Sequence, residues 1–299
     1  ASERYCSVYI SSVLIRMSML RSALLSAFML SAFVSGNVFA QSQAIPVTPV
    51  RVSPAMSTPG SQWQGCEVGF LGDSMSTLCD TTANKRFYDY LHNLLGLTPH
   101  VYARSGWQWK NLLGEVDKLK RDHPDVDAGM VWAGTNDYNH SCPIGEFFTE
   151  STAQVNANGK IETRRCRSHV MSDSTFCGRI NLLLSKLKQT FPDRQIILLT
   201  PIHRGFARFS QSNVQPSEQY SNALGLYIDD YVRTLREAGS VWSVPVIDLY
   251  SISGLYPADS AHDCYIQNPE TDRLHPNTIG HFRLARTLQY QLLSLPAKF

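Results

Sequence analysis

The sequence predicts a three-layer α/β/α sandwich with a central five-stranded parallel sheet. From residue 67 onward, short apolar runs alternate with longer segments whose apolar residues recur every three or four positions. The short runs are almost continuously apolar, which is typical of parallel strands that are covered by helices on both faces. Alternation of strands and helices brings each new strand into the sheet in the same direction, so the two patterns together predict this α/β class.

Each element is assigned from its own pattern. The strands are the short apolar runs, predicted at residues 67–71, 100–103, 128–133, 195–200 and 244–249. The helices are the amphipathic segments, predicted at residues 85–95, 109–120, 174–190, 217–238 and 276–293. The fourth helix is based on the apolar stripe Leu224, Tyr227, Ile228, Tyr231 and Leu235. Proline is favoured in the first turn of a helix, so Pro276 is expected at the start of the last one.

Two connections are longer than those that usually join a strand to a helix. They cover residues 138–173 and 203–216. Ordered connections of this length usually carry function. Because both follow a predicted strand, we expect them to form walls of a ligand pocket at the carboxyl edge of the sheet.

The first 64 residues divide into three segments, and residues 65–299 are predicted to form a single domain. Residues 1–16 are interpreted as an upstream extension. Residues 17–40 have the basic start, apolar stretch and small residues at the end that indicate a secretory signal peptide. A membrane anchor is the alternative, but the apolar stretch is shorter than the roughly 20 residues of a spanning helix. Residues 41–64, rich in Pro, Ser, Thr and Gln, predict a flexible mature N-terminus. A periplasmic or secreted protein without a stable membrane anchor is therefore expected.

The charge of the chain gives no reason to expect a nucleic-acid partner. The sequence has 27 basic and 25 acidic residues, and 24 of each remain after residue 40. A neutral protein without a basic run lacks the positive surface that nucleic acids and anionic membranes attract.

Six cysteines follow residue 40, and an even number in an exported chain favours disulfides. They are Cys66, Cys79, Cys142, Cys166, Cys177 and Cys264. Three of them lie in or beside the 138–173 connection, so at least one disulfide is predicted to brace it, with the pairing left open. Metal binding is the alternative, but Cys-x-x-Cys pairs and histidine-rich clusters are absent from the sequence. No metal site and no cofactor are therefore predicted.

A nucleophile and its base are predicted at opposite ends of the domain. Ser74 lies in the block Gly72-Asp73-Ser74, directly after the first predicted strand. A serine hydroxyl becomes a nucleophile when an imidazole removes its proton and a carboxylate fixes the imidazole tautomer. Asp272 and His275, just before the last helix, can supply both groups. Ser74, Asp272 and His275 are therefore the candidate catalytic residues.

Two further positions follow the second and third predicted strands. Gly106 lies shortly after the second strand, and Asn136 lies in the block Gly134-Thr135-Asn136-Asp137 after the third. In open α/β sheets, ligands bind at the carboxyl ends of the strands. The positions of Gly106 and Asn136 therefore place them at the same edge as the candidate nucleophile.

With these four blocks in order, the chain resembles the SGNH, or GDSL-type, hydrolase family over about residues 66–296. The resemblance implies the flavodoxin-like fold of that family, a serine-based reaction without a cofactor, and an oxyanion hole. That hole would use the backbone N–H groups of Ser74 and Gly106 and the side-chain amide of Asn136. The candidates for substrate binding are Trp107, Asp137 and His203. For Trp107, burial against a neighbouring helix is the alternative.

The resemblance also implies a secreted bacterial serine esterase. An acetyl ester on a carbohydrate is the preferred substrate, because secreted members of the family often remove acetyl groups from glycans. A lysophospholipase or thioesterase of the same family, with a long acyl pocket, is one alternative. A non-catalytic glycan-binding protein on the same fold is the other. For the preferred function, an esterase, the expected partner is a small-molecule or glycan ester.

Overall fold

Strands and helices alternate along the chain in the order expected for an α/β fold. The computed structural model describes residues 60–77 and 85–299. The strands within these ranges are β1 (Glu67–Gly72), β2 (Thr98–Ala103), β3 (Ala128–Trp132), β4 (Phe148–Ala157), β5 (Lys160–His169), β6 (Gln195–Leu199), β7 (Ala207–Arg208), β8 (Val214–Gln215), β9 (Val246–Ile247), β10 (Ile266–Asn268) and β11 (Asp272–Pro276). The α-helices are α1 (Phe87–Leu95), α2 (Leu113–Asp122), α3 (Thr135–Asn139), α4 (Phe176–Thr190), α5 (Ile228–Trp242), α6 (Leu249–Ile252) and α7 (Thr278–Leu292). Short 3-10 helices cover Trp109–Leu112 and Ser260–Tyr265.

Five of these strands form the predicted parallel sheet, in the order β2-β1-β3-β6-β9. Gly72, the last residue of β1, lies beside Ala103 of β2 and Trp132 of β3. The three strands therefore end at the same level, and the segments that follow them leave the sheet side by side. This alignment confirms the predicted common edge at the carboxyl ends of the strands.

Helices cover both faces of the sheet and complete the three layers. On one face α1 and α7 pack together, and their apolar side chains form one buried cluster with residues of β1 and β3. On the other face α2, α4 and α5 form a second cluster. Trp63 is the largest fully buried side chain of the first cluster, and Trp109 is that of the second. The predicted α/β/α class is thus confirmed.

The helices begin later than the sequence patterns predict, and for two of them, α5 and α7, the structure shows why. α5 begins at Ile228 rather than at residue 217, because the Asn222 side chain accepts two backbone N–H groups that follow it and holds a turn. α7 begins at Thr278, since Pro276 still belongs to β11. Asn277 caps this helix by accepting two backbone N–H groups of its first turn.

Both long connections contain strands that the sequence analysis did not predict. In the first, β4 and β5 form an exposed antiparallel hairpin whose turn, Asn158-Gly159, has positive φ at both residues. Turns of this kind match the twist of a hairpin. In the second, β7 and β8 join β10 and β11 in a four-stranded antiparallel sheet. Because β11 carries Asp272 and His275, the second connection supports the predicted catalytic pair.

The ordered fold begins before residue 65, within the unit Gly60–Phe299. Trp63 is fully buried, and its indole N–H donates to the backbone carbonyl of Leu292 at 2.7 Å. The carboxyl-terminal boundary predicted for the flexible segment 41–64 is therefore too late, because the Trp63 side chain anchors the chain against α7. The rest of that segment, the predicted extension 1–16 and the predicted signal peptide 17–40 lie outside the described residues. Within the described ranges, no helix has the length and apolar character needed to cross a membrane.

Cys142, Cys166 and Cys177 are free thiols, so the predicted disulfide across the first connection is wrong for this structure. Cys142 and Cys177 are buried, and each thiol faces a backbone carbonyl, at 3.6 and 3.5 Å. Cys166 lies instead on exposed β5, opposite Ser151 of β4. The first connection is held by the hairpin ladder and by buried side chains, not by a covalent bridge among these three cysteines. Cys79 lies outside the described residues.

Candidate active site

Ser74 lies in a tight turn directly after β1. At Gly72 a Cβ atom would lie only 2.7 Å from the backbone carbonyl of Trp132, so glycine allows β1 and β3 to approach each other there. Asp73 Oδ1 accepts a hydrogen bond from the backbone N–H of Met75 at 3.0 Å. These contacts fix the backbone on both sides of the candidate nucleophile.

A continuous chain of hydrogen bonds joins Ser74 to two residues of β11. His275 Nε2 lies 2.8 Å from Ser74 Oγ, and His275 Nδ1 lies 2.8 Å from Asp272 Oδ2. Asp272 Oδ1 also accepts the backbone N–H groups of Leu274 and His275, each at 3.1 Å. The fold thus brings together the three candidate catalytic residues, although Ser74 and His275 are 201 positions apart in the sequence.

The carboxyl group of Asp272 favours its ionised form. Burial acts to raise the pKa of Asp272, but hydrogen bonds from the side chain and backbone of His275 and from the backbone of Leu274 outweigh burial, and the pKa lies below its ordinary value. An ionised carboxylate accepts the Nδ1–H of the imidazole and leaves Nε2 unprotonated toward Ser74. This is the tautomer in which His275 can remove the serine proton.

Gly106 and Asn136 lie beside the same turn and are connected through Trp107. Asn136 Nδ2 donates to the backbone carbonyl of Trp107 at 3.0 Å and lies 3.4 Å from Asp73 Oδ2. Gly106 has a φ of +81°, which glycine adopts without strain. In the described part of the chain, the backbone N–H groups of Ser74 and Gly106 have no hydrogen-bond acceptor. The edge of the sheet therefore presents two free N–H donors and one side-chain amide.

Asp73 is buried behind these donors. Its pKa is raised to about 7, mainly because burial disfavours the charged form. The carboxyl group contacts the backbone N–H of Met75 and the amide of Asn136. Asp73 therefore supports the turn and orients Asn136, and it has almost no exposed surface through which to contact a substrate.

A sequence comparison identifies the family to which this site belongs. Residues 70–283 match the model of the GDSL-like lipase/acylhydrolase family, and this span includes every candidate site residue described above. The chain belongs to the GDSL-like lipase/acylhydrolase family. It is therefore a hydrolase that acts on ester bonds. No curated protein is significantly similar to it in sequence.

Solved structures share the fold of this GDSL-like hydrolase. A protein from Lactobacillus plantarum superposes with a TM-score of 0.59 at 23% identity, over 77% of this chain and 98% of that one. A possible lipase from Chitinophaga pinensis superposes with a TM-score of 0.57 at 18% identity, over 76% of this chain and 98% of that one. The α/β architecture is therefore common to all three proteins.

In the GDSL-like hydrolase, Asp137 belongs to a buried ion pair and does not line a binding surface. Its side chain is fully buried, Oδ1 accepts a hydrogen bond from Arg179 at 2.8 Å, and Oδ2 accepts the backbone N–H of Trp109 at 3.1 Å. Burial raises the pKa of Asp137 to about 6, although Arg179 acts in the opposite direction. The predicted substrate-binding role is wrong, because this carboxylate joins α3, α4 and the 3-10 helix that follows Gly106.

We expect Arg179→Ala to lower the free energy of unfolding by about 3–5 kcal/mol, because it leaves Asp137 buried without its cation. Chemical denaturation at neutral pH measures this loss. Arg233→Ala is a matched control, since the ion pairs of Arg233 with Asp229 and Asp230 are exposed. The control should lose less than about 1 kcal/mol. Equal losses in the two variants would contradict the importance of the buried pair.

The two other substrate-binding candidates are partly exposed. Trp107 packs one side against the second core cluster. His203 Nδ1 lies 2.6 Å from Glu218 Oε1, and the His203 ring lies 3.7 Å from the ring of Tyr250. Each side chain is thus held by the protein and keeps some exposed surface. Substrate binding stays a prediction for both residues.

Phe209 and Arg204 lie close to the site but are not among the residues predicted from the sequence. The ring of Phe209 is 5.6 Å from that of His275, and its side chain is 46% exposed. Arg204 is buried and donates a hydrogen bond to Thr135 Oγ1 at 3.1 Å. Thr135 directly precedes Asn136 in the chain. Both residues, Phe209 and Arg204, lie in the connection 203–216, which was expected to form a wall of the pocket. Neither residue belongs to a motif, so their position in this connection is the only sequence feature that could have indicated them.

Proposed function

We propose that this hydrolase is an exported serine esterase that removes a short acyl group, most simply acetyl, from a carbohydrate. The observation that carries the proposal is the hydrogen-bonded chain Ser74–His275–Asp272 beside two backbone N–H groups that have no acceptor among the described residues. A nucleophile, its base, an orienting carboxylate and oxyanion donors are the complete set needed for acyl transfer through a serine ester.

In the proposed reaction, Ser74 Oγ attacks the carbonyl carbon of the ester while His275 Nε2 takes the hydroxyl proton. Asp272 holds Nδ1–H and stabilises the imidazolium that forms. His275 then gives its proton to the departing alcohol, and an acyl ester remains on Ser74. Water, deprotonated by His275, attacks this ester, and the proton returns to Ser74 as the carboxylic acid leaves.

The oxyanion of the tetrahedral intermediate would be stabilised by three donors: the N–H groups of Ser74 and Gly106, and Asn136 Nδ2. Asn136 uses one amide hydrogen for its bond to Trp107. Its second amide hydrogen has only the long 3.4 Å contact with Asp73. That hydrogen is therefore the one that Asn136 can offer to an oxyanion.

We expect Asn136→Ala to lower kcat for p-nitrophenyl acetate by about 100-fold to 1,000-fold, with KM changed only slightly. The reason is that the amide acts on charge that develops in the transition state. Steady-state kinetics measure both constants. Asn139→Ala, in the same helix α3, is the control and should retain nearly full activity. A rise in KM at constant kcat would assign Asn136 to ground-state binding instead.

A small recess next to the Ser74 turn supports a short acyl group. Asp73 and Met75, the neighbours of Ser74, contribute to its wall. Trp132, Pro201 and Ile202 make much of the remaining wall apolar. The enclosed space is about that of one water molecule, which is close to the size of a methyl group. A lysophospholipase or thioesterase with a long acyl group would need a much larger apolar space than this one.

A series of p-nitrophenyl esters from acetate to octanoate tests the acyl preference. We expect kcat/KM to fall by about tenfold or more along the series, since each added methylene group must fit the same apolar wall. Ile202→Ala should enlarge the pocket and shift the preference toward longer chains. Rising kcat/KM with chain length in the wild type would overturn the acetyl assignment in favour of the long-chain alternatives.

Exposed aromatic side chains at the mouth support a carbohydrate as the alcohol part of the ester. Phe209 lies beside His275, and Trp107 follows Gly106, so both can offer a flat face to a sugar ring. Acetylated oligosaccharides should therefore give a higher kcat/KM than a simple alkyl acetate such as ethyl acetate, whose alcohol is a comparably poor leaving group. A lower value would remove the carbohydrate from the proposal and leave the esterase. Family membership already disfavours the alternative of a non-catalytic glycan-binding protein.

Export is proposed from the sequence alone, on the signal-peptide pattern of residues 17–40. Expression of the full chain in a bacterial host, followed by N-terminal sequencing of the periplasmic protein, tests it. A mature chain that begins at or near Gln41 is expected. Retention of residues 17–40 on a cytoplasmic product would contradict export.

A further inference from the structure

A second cluster of chemically active side chains lies at the amino edge of the central sheet. Glu67 begins β1, His100 lies on β2, and His123 directly follows α2. In the β1–β2 register His100 lies beside Gly69, two residues after Glu67. Because alternate residues of a strand share a face, Glu67 and His100 project from the same face, which α2 covers. Three separate elements therefore contribute to one cluster.

The three side chains converge closely. One potential ligand atom from each lies within 4.8 Å of the other two. His100 Nε2 is hydrogen-bonded to the Glu67 carboxylate, and the imidazole rings of His100 and His123 stack with their centroids 3.4 Å apart. Neither ring nitrogen of His123 has a hydrogen-bond partner among the residues that the structure describes, so lone pairs remain available beside a carboxylate.

We propose that Glu67, His100 and His123 bind a Zn²⁺ ion. Imidazole nitrogen and carboxylate oxygen are zinc ligands at about 2.0–2.2 Å, which places neighbouring ligand atoms about 3.4 Å apart in a tetrahedral site. To reach that geometry the stacked rings must tilt apart, so that one nitrogen of each imidazole is directed at the ion. Water would be the fourth ligand, since all three side chains are partly exposed. Magnesium and calcium prefer oxygen ligands, so two imidazoles select against them.

No metal site is predicted from the sequence, because the histidines lie far apart in the chain and have no motif spacing. Folding brings His100 and His123 together, since α2 returns to the amino edge of the sheet beside β2. A site assembled from residues 67, 100 and 123 has no recognisable sequence signature.

The proposed ion would be structural and not catalytic. Glu67 and Gly72 lie at opposite ends of β1, about 16 Å apart at about 3.3 Å per residue, and Ser74 follows the far end. An ion at the amino edge would join β1, β2 and the end of α2. Binding to the folded state alone stabilises it by mass action, so zinc should raise the melting temperature.

The test uses the purified protein, freed of metal by a chelator and dialysed, with zinc chloride as the added probe. Competition with a chromophoric chelator measures zinc affinity, and thermal unfolding measures Tm. We expect one tight zinc ion per chain and a rise in Tm of about 5 °C or more at saturation. Esterase activity should change little on removal or return of zinc.

Glu67→Gln and His123→Asn are the informative variants, and both should weaken zinc binding by about tenfold or more. Glu67 is substantially exposed, so its variant should fold even if His123→Asn does not. His262→Asn, outside the cluster, is the control and should bind zinc like the wild type. The proposal would be overturned if Glu67→Gln and a folded His123→Asn kept the zinc affinity and the Tm shift of the wild type. It would also be overturned if the wild type did not bind zinc.

Discussion

Replacing Ser74 by alanine is expected to lower kcat for p-nitrophenyl acetate by about 10⁴-fold or more. Ser74 Oγ is the hydroxyl at 2.8 Å from His275 Nε2, so its removal leaves the imidazole without a nucleophile to activate. Binding and the oxyanion donors would remain and would account for the residual rate. Steady-state hydrolysis by the two proteins, at matched concentration, measures the loss.

Ser76→Ala is the matched control for this variant. Ser76 lies two residues further along the same turn, and its hydroxyl is buried without a partner among the described residues. We expect the control to keep most of the activity. A fluorophosphonate probe should label the wild type on the peptide that contains Ser74 and should fail to label Ser74→Ala. Equal hydrolysis by wild type and Ser74→Ala would end the serine-esterase proposal.

Asp272→Asn is expected to lower kcat by about 10⁴-fold while the protein stays folded. The asparagine oxygen can still accept the backbone N–H groups of Leu274 and His275, which preserves the local turn. Its amide NH₂ facing His275 Nδ1 would, however, favour the tautomer with the proton on Nε2. In that tautomer His275 cannot accept the proton of Ser74.

Asp263→Asn is a suitable control for the loss of a carboxylate near the same strand, because Asp263 pairs with Arg273 of β11. That variant should lose far less activity than Asp272→Asn. Circular dichroism and Tm show whether each variant is folded. Full activity of a folded Asp272→Asn would show that the carboxylate does not set the tautomer of His275.

The parallel sheet and its functional edge could be predicted because both depend on local patterns. Continuous apolar runs specify buried parallel strands, and the ends of β1, β2 and β3 are aligned by their ladder register. Residues placed just after those runs must therefore meet. Ser74 is positioned by the end of β1, whereas His275 lies on β11 of the separate antiparallel sheet and was predicted from its Asp-x-x-His block and not from a strand pattern.

The elements that could not be predicted depend on tertiary contacts. β4 and β5 consist mainly of polar residues and lack a continuous apolar face, so the alternating apolar pattern by which strands were predicted is missing there. The position of Asp137 after β3 indicates a ligand-binding carboxylate, but the side chain pairs instead with Arg179, which lies 42 positions later in the sequence. Likewise, Trp63 anchors a segment whose composition indicates flexibility, because its partner Leu292 lies at the far end of the chain.

Under the proposed function, in which Phe209 contacts the alcohol part of the ester, the pairing of β7 with β11 links substrate selectivity to turnover. Ala207 of β7 lies opposite Asp272, and Phe209, two residues later, faces the ring of His275. A substrate group that contacts Phe209 therefore acts on the same antiparallel sheet that carries His275. Changes in residues 207–215 that accommodate a new alcohol would therefore also shift the imidazole of His275. Substitutions in residues 207–215 should consequently change kcat and KM together, and selection for a new leaving group would find its compensating changes on β10 and β11.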